Sequence, residues 1–146
     1  MERTIQPLYE QDFCLWLEDT AKKLKMRDFE AIDVDNLIKE IETLGRSERR
    51  ELKNRLHILL VHILKRVYVD SAYDNASWER TIRELRRQIR ELLNQSPSLQ
   101  QYFVEIFSQV SQDALSDVKQ DYPKIQFPNK WQFADTVNAI LTEVFW

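Results

Sequence analysis

The feature that most restricts the fold of this chain is its single glycine, Gly45, among 146 residues. Domains built mainly from β-strands need many tight turns, and those turns depend on Gly, Asn-Gly and Pro. One glycine and four prolines cannot supply them. Long stretches consist instead of Leu, Glu, Arg, Lys and Gln, which lose little side-chain freedom in a helix. The sequence therefore predicts an all-α protein whose helices are joined by few connections.

The length and the single cysteine set the expected organisation. A chain of 146 residues suits one domain, and we expect that domain to span residues 1–146. Cys14 cannot form an intrachain disulfide, and its neighbours Phe13 and Leu15 predict a buried thiol in a reducing compartment. The first residues, MERTIQPLYEQD, lack the apolar stretch of a signal peptide, and no apolar run reaches the roughly 20 residues that span a bilayer. We expect a cytoplasmic protein that does not bind membranes.

Apolar residues that recur every three or four positions predict five helices, at about residues 9–25, 35–68, 77–94, 97–121 and 130–143. Asp33 or Asp35 is the expected N-cap of the second helix. Ser96 is the expected N-cap of the fourth, with Pro97 as its first residue. The apolar side of the first helix contains Tyr9, Phe13, Leu17 and Leu24, with Trp16 beside them, and that of the last contains Phe133 or Ala134, Val137, Ile140 or Leu141, and Val144.

The second predicted helix is the longest and determines the expected architecture. Its apolar positions lie within an arc of about 140° and keep their phase across Gly45. One continuous helix is therefore expected, with a kink or break at Gly45 as the alternative. Because this helix is so long, we expect an irregular bundle packed around it. The apolar positions are Leu37, Ile41, Leu44, Leu52, Leu56, Leu59, Ile63 and Val67.

The sequence contains no recognisable catalytic or metal-binding pattern. His57 and His62 lie five residues apart, about 140° around a helix, so they cannot bind one ion from the same face. Neither histidine has a glutamate three residues before it, as a Glu-x-x-His metal motif requires. Cys14 has no histidine nearby in sequence, and a chain with one glycine cannot form a glycine-rich phosphate loop. We therefore expect no catalytic residue, no metal and no cofactor, and predict that the protein is not an enzyme.

Arginine is concentrated in the middle of the chain. Ten of the twelve arginines lie in residues 46–90, which carry twelve basic and six acidic side chains, whereas residues 1–45 carry six basic and eleven acidic ones. Four of these arginines fall within about 80° of one another on the third predicted helix, and three more precede them on the second. The third-helix group is Arg80, Arg83, Arg87 and Arg90, and the second-helix group is Arg46, Arg49 and Arg50.

Two interpretations of these arginines are open. The simpler one is a solvated helix face supported by pairs such as Glu79–Arg83 and Arg87–Glu91. The alternative is a surface that binds anions, nucleic acid or an acidic partner. Interleaved glutamates and a pI near 5.5 argue against nucleic acid.

Three segments of the chain resemble a known family. They are YEQDFCLWLEDTAKKLKMRDFEAIDVDNL from Tyr9, NLIKEIETLGRSERRELKNRLHILLVHILK from Asn36 and SWERTIRELRRQIRELLNQSPSL from Ser77. Together they resemble the bacterial family called "domain of unknown function 29", best known from cyanobacteria. The resemblance covers most of the chain and is looser past Asp121. It implies a small all-helical protein and carries over no activity, cofactor or site residue.

The expected function is based on the aromatic residues near the C-terminus. Trp131, Phe133, Phe145 and Trp146 are of the kind that fill pockets on a partner, although they could equally cap the core of this chain. We expect a non-enzymatic helical protein–protein interaction or scaffold protein. Its partner would be an unidentified protein or a second copy in a homodimer. The alternative function is binding of anions or nucleic acid through the arginine-rich middle, Arg46–Arg90.

Overall fold

A computed structural model describes residues 7–146, and these residues contain six α-helices and no strand. The helices are α1 (Leu8–Gln11), α2 (Phe13–Lys25), α3 (Val34–Leu64), α4 (Asn75–Gln95), α5 (Leu99–Asp121) and α6 (Val137–Thr142). A 3₁₀ turn occupies Phe29–Ala31, and a π-helical turn, Lys65–Val69, extends α3. The all-α prediction is confirmed. Residues 1–6 of the predicted domain, which are the first half of the MERTIQPLYEQD segment, lie outside the described residues.

The chain divides into two compact units, with the boundary between Gly45 and Arg46. Residues up to Gly45 form the N-terminal unit, and residues from Arg46 form the C-terminal unit. The boundary lies within α3, which is helical from Val34 to Leu64 without interruption at Gly45. The prediction of one long helix is thus confirmed over this range. A single domain over residues 1–146 stays a prediction.

In the N-terminal unit, α1 and α2 replace the single helix predicted at 9–25. The chain breaks at Asp12, whose extended backbone lets its side chain accept a hydrogen bond from Leu15 N at 3.0 Å. Trp16 and Thr20 are buried, and the rings of Tyr9 and Phe13 pack with that of Trp16.

The expected burial of Cys14 is wrong, because this residue is exposed. It lies two residues from Trp16, about 160° away around the helix, and therefore faces away from the buried side. The predicted inward positions Phe13, Leu17 and Leu24 are also more than a third exposed.

The C-terminal end of α2 and the N-terminal end of α3 are both formed without glycine. α2 ends at Lys25, and two residues later Arg27 has a left-handed backbone with φ of 57°, a conformation for which glycine is the usual choice. The N–H groups of Arg27 and Asp28 then bind the carbonyls of Leu24 and Lys23. α3 starts as predicted at an aspartate, because Asp33 accepts a hydrogen bond from Asn36 N at 3.3 Å.

The core of the C-terminal unit is built from one face of each of its helices. Leu56, Leu59 and Ile63 of α3 are fully buried, as the apolar pattern predicted. α4, α5 and α6 complete the core with apolar positions on one side of each helix. These positions are Ile82, Leu85 and Ile89 on α4, Phe103, Val110, Ala114 and Val118 on α5, and Ile140 and Leu141 on α6.

Two predicted helix boundaries in this unit are wrong. α5 begins at Leu99 rather than Pro97, because Ser96–Ser98 form a turn in which Ser96 O accepts from Leu99 N. The Ser96 hydroxyl does not cap the helix but donates to Glu48 Oε2 at 3.0 Å.

The helix predicted at 130–143 shrinks to α6, Val137–Thr142. Trp131 and Phe133 instead sit in an irregular segment whose rings pack against one another and against Phe145. Tertiary packing of these aromatic rings therefore outweighs the local helical pattern.

Candidate functional site: an arginine groove

The strongest polar constellation lies on α4, whose two faces differ sharply. The apolar residues Trp78, Ile82 and Ile89 are buried, whereas the four arginines of the predicted stripe are exposed. Leu, Arg, Glu and Gln dominate this segment and favour a regular helix, so the arginine side chains emerge in a row along one side. The structure thus brings together Arg80, Arg83, Arg87 and Arg90, as predicted.

These four side chains line a surface groove of about 690 Å³ between α4 and the end of α6, which we call the arginine groove. Arg86 also lines it, so five guanidinium groups share the groove with a single carboxylate, that of Glu84. Leu141 and Thr142 of α6 form its remaining wall.

Arg86 and Arg90 are held in place by backbone carbonyls at the end of α6. Arg86 is 7% exposed; its Nε donates to Ile140 O at 2.9 Å and its Nη2 to Glu143 O at 2.6 Å. Arg90 Nη1 donates to Leu141 O at 3.0 Å. Carbonyls in the last turn of a helix lack intrahelical partners and carry partial negative charge, so two arginines stabilise this end of α6.

Burial and charge act together on Arg86. Burial lowers the pKa of Arg86, and the positive charge of Arg90 lowers it further. Neither arginine forms an ion pair with a carboxylate within residues 7–146. Two positive charges are therefore held close together by neutral acceptors.

Arg87 is the member of the groove that is neutralised within the chain. Its guanidinium pairs with Glu84 and, at 2.6 Å, with Glu91. The Arg87–Glu91 pair is one of the two helix pairs that the sequence predicted. Its hydrogen bond lowers the pKa of Glu84. The other predicted pair is not formed, because Glu79 Oε1 lies 3.4 Å from Arg66 Nε instead.

Arg80 and Arg83 are exposed and have no hydrogen-bond or ion-pair partner within residues 7–146. They are the two guanidinium groups of the groove with every N–H available. Of the four arginines that the simpler interpretation places on a solvated face, Arg80, Arg83 and Arg87 match it. Arg90 does not, because it is bound to α6.

The second predicted group lies outside the groove. Arg46, Arg49 and Arg50 are exposed on α3 and do not line it. The guanidinium carbon of Arg49 lies 5.6 Å from the centre of the Tyr102 ring, a cation–π contact with α5.

Sequence reasoning missed Arg86, which is the most buried arginine of the groove. Its helical phase carried a signal, because position 86 lies only about 50° from the centre of the apolar stripe of α4. A long charged side chain so close to a buried face must either extend to solvent or find acceptors. The acceptors come from α6, more than fifty residues away in sequence.

The histidines lie apart from the groove, beside a smaller cleft of about 260 Å³ between α3 and α5. His57 Nε2 and Asp117 Oδ2 are 2.7 Å apart, and His62 Nδ1 donates to Ile58 O at 2.8 Å. Burial lowers the pKa of His62. No group of His, Cys, Asp and Glu within residues 7–146 is arranged to hold a metal ion.

A second candidate site is a group of exposed apolar side chains on α3. In the part of α3 that belongs to the N-terminal unit, Val34, Ile38, Ile41 and Leu44 are exposed, with 60% of Ile41 and 68% of Leu44 accessible. They lie within about 120° around the helix. These four residues, which we call the exposed α3 stripe, continue the same apolar stripe whose later positions Leu52, Leu56, Leu59 and Ile63 are fully buried.

The aromatic residues near the C-terminus pack against the core of their own unit. Trp131, Phe145 and Trp146 are half-buried against that core, and Arg66 stacks at 5.5 Å from the centre of the Trp146 ring. Of the two interpretations left open, the structure favours the one in which these rings cap the chain's own core. No helix within residues 7–146 combines the length and apolar character that crossing a bilayer requires.

Residues 8–146 match the family described as "Domain of unknown function DUF29", so the resemblance seen in three segments extends over almost the whole chain. No curated protein and no solved structure matches it. The family description assigns no activity.

Proposed function

This chain belongs to the DUF29 family, and we propose that it is a non-enzymatic helical protein–protein interaction or scaffold protein. The observation that carries this proposal is the exposed α3 stripe. Four apolar side chains that continue a core-facing stripe are left accessible to water. Exposing contiguous apolar surface is unfavourable by roughly 25 cal/mol per Å², and such surfaces usually mark a binding site.

The spacing of the stripe indicates the shape of its partner. Val34, Ile38, Ile41 and Leu44 follow one another at intervals of four, three and three residues, and intervals of three and four are typical of a helix-pairing seam. An amphipathic helix that lies along α3 would cover them. The partner is therefore an apolar helical segment, supplied by another protein or by a second copy of this chain.

The acidic character of residues 1–45 supports recognition of a partner by charge as well as by apolar contact. Within the described part of this unit, residues 7–45, ten acidic and five basic side chains give net negative charge. A partner helix with basic residues beside its apolar seam would fit this surface best. We also propose a cytoplasmic location, because the unpaired, exposed thiol of Cys14 suits a reducing compartment.

The experiment compares the full chain with the double variant Ile41→Gln, Leu44→Gln. Both side chains are exposed, so the variant should fold with unchanged helicity. Sedimentation velocity over a range of concentrations measures self-association, and pull-down from the native cell measures binding to other proteins. The wild type should associate in one of the two assays and the variant in neither. Val104→Gln, which replaces an exposed apolar residue of α5, is the control and should behave as wild type.

The proposal fails if the wild type is monomeric and captures no protein that the double variant loses. It also fails if Val104→Gln removes the association as completely as the double variant, because the effect would then reflect general loss of exposed apolar surface.

A further inference from the structure

The arginine groove holds more positive charge than the chain neutralises. Five guanidinium groups line it, and its one carboxylate, Glu84, is already bound to Arg87. Arg80 and Arg83 have no partner within residues 7–146, and Arg86 and Arg90 donate only to backbone carbonyls. Four arginines of the groove therefore lack a counter-charge from the described chain.

Two of these arginines are fixed before any ligand arrives. Arg86 is buried and uses Nε and Nη2 on α6, which leaves its Nη1 without an acceptor within residues 7–146. Arg90 uses Nη1 on α6, which leaves its Nε and Nη2. Guanidinium groups that are already immobilised lose little conformational entropy on binding an anion. A negative charge would also relieve the repulsion between them.

We propose that the arginine groove binds the phosphate group of a small-molecule ligand. A phosphate dianion offers three acceptor oxygens and two charges, and guanidinium groups bind such oxygens through paired N–H···O bonds. A single carboxylate would leave most of the four guanidinium charges uncompensated. This inference is independent of the exposed α3 stripe, since no residue of the stripe lines the groove.

The groove favours a small phosphorylated ligand over nucleic acid. Its volume of about 690 Å³ lies within the range of small-molecule sites, about 300–1,000 Å³. Its lining contains no aromatic side chain on which bases could stack. The net charge of −3 for the whole chain also opposes a long polyanion, whose phosphates would extend beyond the groove.

Isothermal titration of the full chain with inorganic pyrophosphate at low salt tests the proposal. Pyrophosphate should bind the wild type, and Arg83→Gln should raise Kd by about tenfold to a hundredfold, as expected for loss of charged hydrogen bonds. The matched control is Arg50→Gln, which removes the same charge from an exposed position outside the groove. Its Kd should change by less than about threefold, because a guanidinium that does not line the groove donates no hydrogen bond to a ligand bound there. Circular dichroism checks that both variants fold.

Four results would overturn the inference. The first is no binding of pyrophosphate by the wild type at concentrations up to about 10 mM. The second is equal weakening by Arg50→Gln and Arg83→Gln, which would indicate binding to general positive charge. The third is equally tight binding of acetate, which would remove the preference for phosphate. The fourth is that a single-stranded oligonucleotide binds more tightly than pyrophosphate and is lost with Arg83→Gln, which would make the groove a nucleic-acid site.

Discussion

Arg86 connects α4 to α6 through two hydrogen bonds from one buried guanidinium, to Ile140 O and Glu143 O. Replacing it with methionine keeps much of its volume but leaves both carbonyls without this donor. We expect Arg86→Met to lower the free energy of unfolding by about 1–3 kcal/mol, measured by urea denaturation. Arg83→Gln, on an exposed neighbour, should change it by less than about 0.5 kcal/mol. Equal effects of the two substitutions would mean that Arg86 does not hold α6.

His62 makes part of the stability depend on pH. Burial lowers the pKa of His62 in the folded protein below its unfolded value of about 6.5, and Lys65 adds to this effect, while the hydrogen bond to Ile58 O opposes it. The unfolded chain therefore binds the proton more readily. The free energy of unfolding should be highest above about pH 6.5 and fall as the pH is lowered through that value. His62→Gln should show a weaker decline than wild type in urea denaturation; an identical decline would contradict the assignment.

The residues of the groove show which part of a site a sequence can predict. Helical phase placed Arg80, Arg83, Arg87 and Arg90 on one face, because that relation depends on local geometry alone. It could not reveal that Arg90 binds Leu141 O, or that Arg86 completes the groove, since both facts depend on where α6 packs. The pairing of charges beyond one helix is a tertiary property.

At the scale of elements, the helices with a long apolar pattern were predicted correctly. The predictions were wrong where aromatic packing or side-chain capping competes with the helix. α3, α4 and α5 match their predictions to within two residues at most ends. The short helix α6 was overestimated because Trp131 and Phe133 join an aromatic cluster that no helical period describes. Likewise, Asp12 divides the first predicted helix by capping α2 with its side chain.

Gly45 offers a direct test of α3. It lies within the helix, and a Cβ atom built on it would have no neighbouring atom within 4 Å. Alanine loses less backbone freedom than glycine on entering a helix, so Gly45→Ala should raise the free energy of unfolding by up to about 1 kcal/mol and should not reduce helicity. Ser47→Ala, at an exposed position of the same helix, should give a smaller gain. A loss of stability in Gly45→Ala would indicate that the helix is interrupted there.

At the scale of the whole molecule, the apolar residues are distributed unequally between the two units. The C-terminal unit buries a continuous core from four helices, whereas Trp16 is the one large apolar side chain that is buried within residues 7–45. Composition and helical phase could not predict this difference, because the exposed Ile41 has the same helical phase as the buried Leu59. Whether a stripe is covered depends on the presence of a neighbouring element.

This difference predicts unequal local stability, which hydrogen exchange measures. Segments with few buried apolar contacts open at low free energy, so amides of α2 should exchange at least about tenfold faster than those in the middle of α4 and α5. Measuring at two protein concentrations adds a second test. If a second copy covers the exposed α3 stripe, amides in the first part of α3 should become more protected as concentration rises, because association stabilises the folded state by mass action. The Ile41→Gln, Leu44→Gln variant should then lose this dependence. Equal protection of α2 and α5 at low concentration would contradict the predicted difference, because α2 in a monomer buries too few apolar side chains to protect its amides as strongly as those of α5.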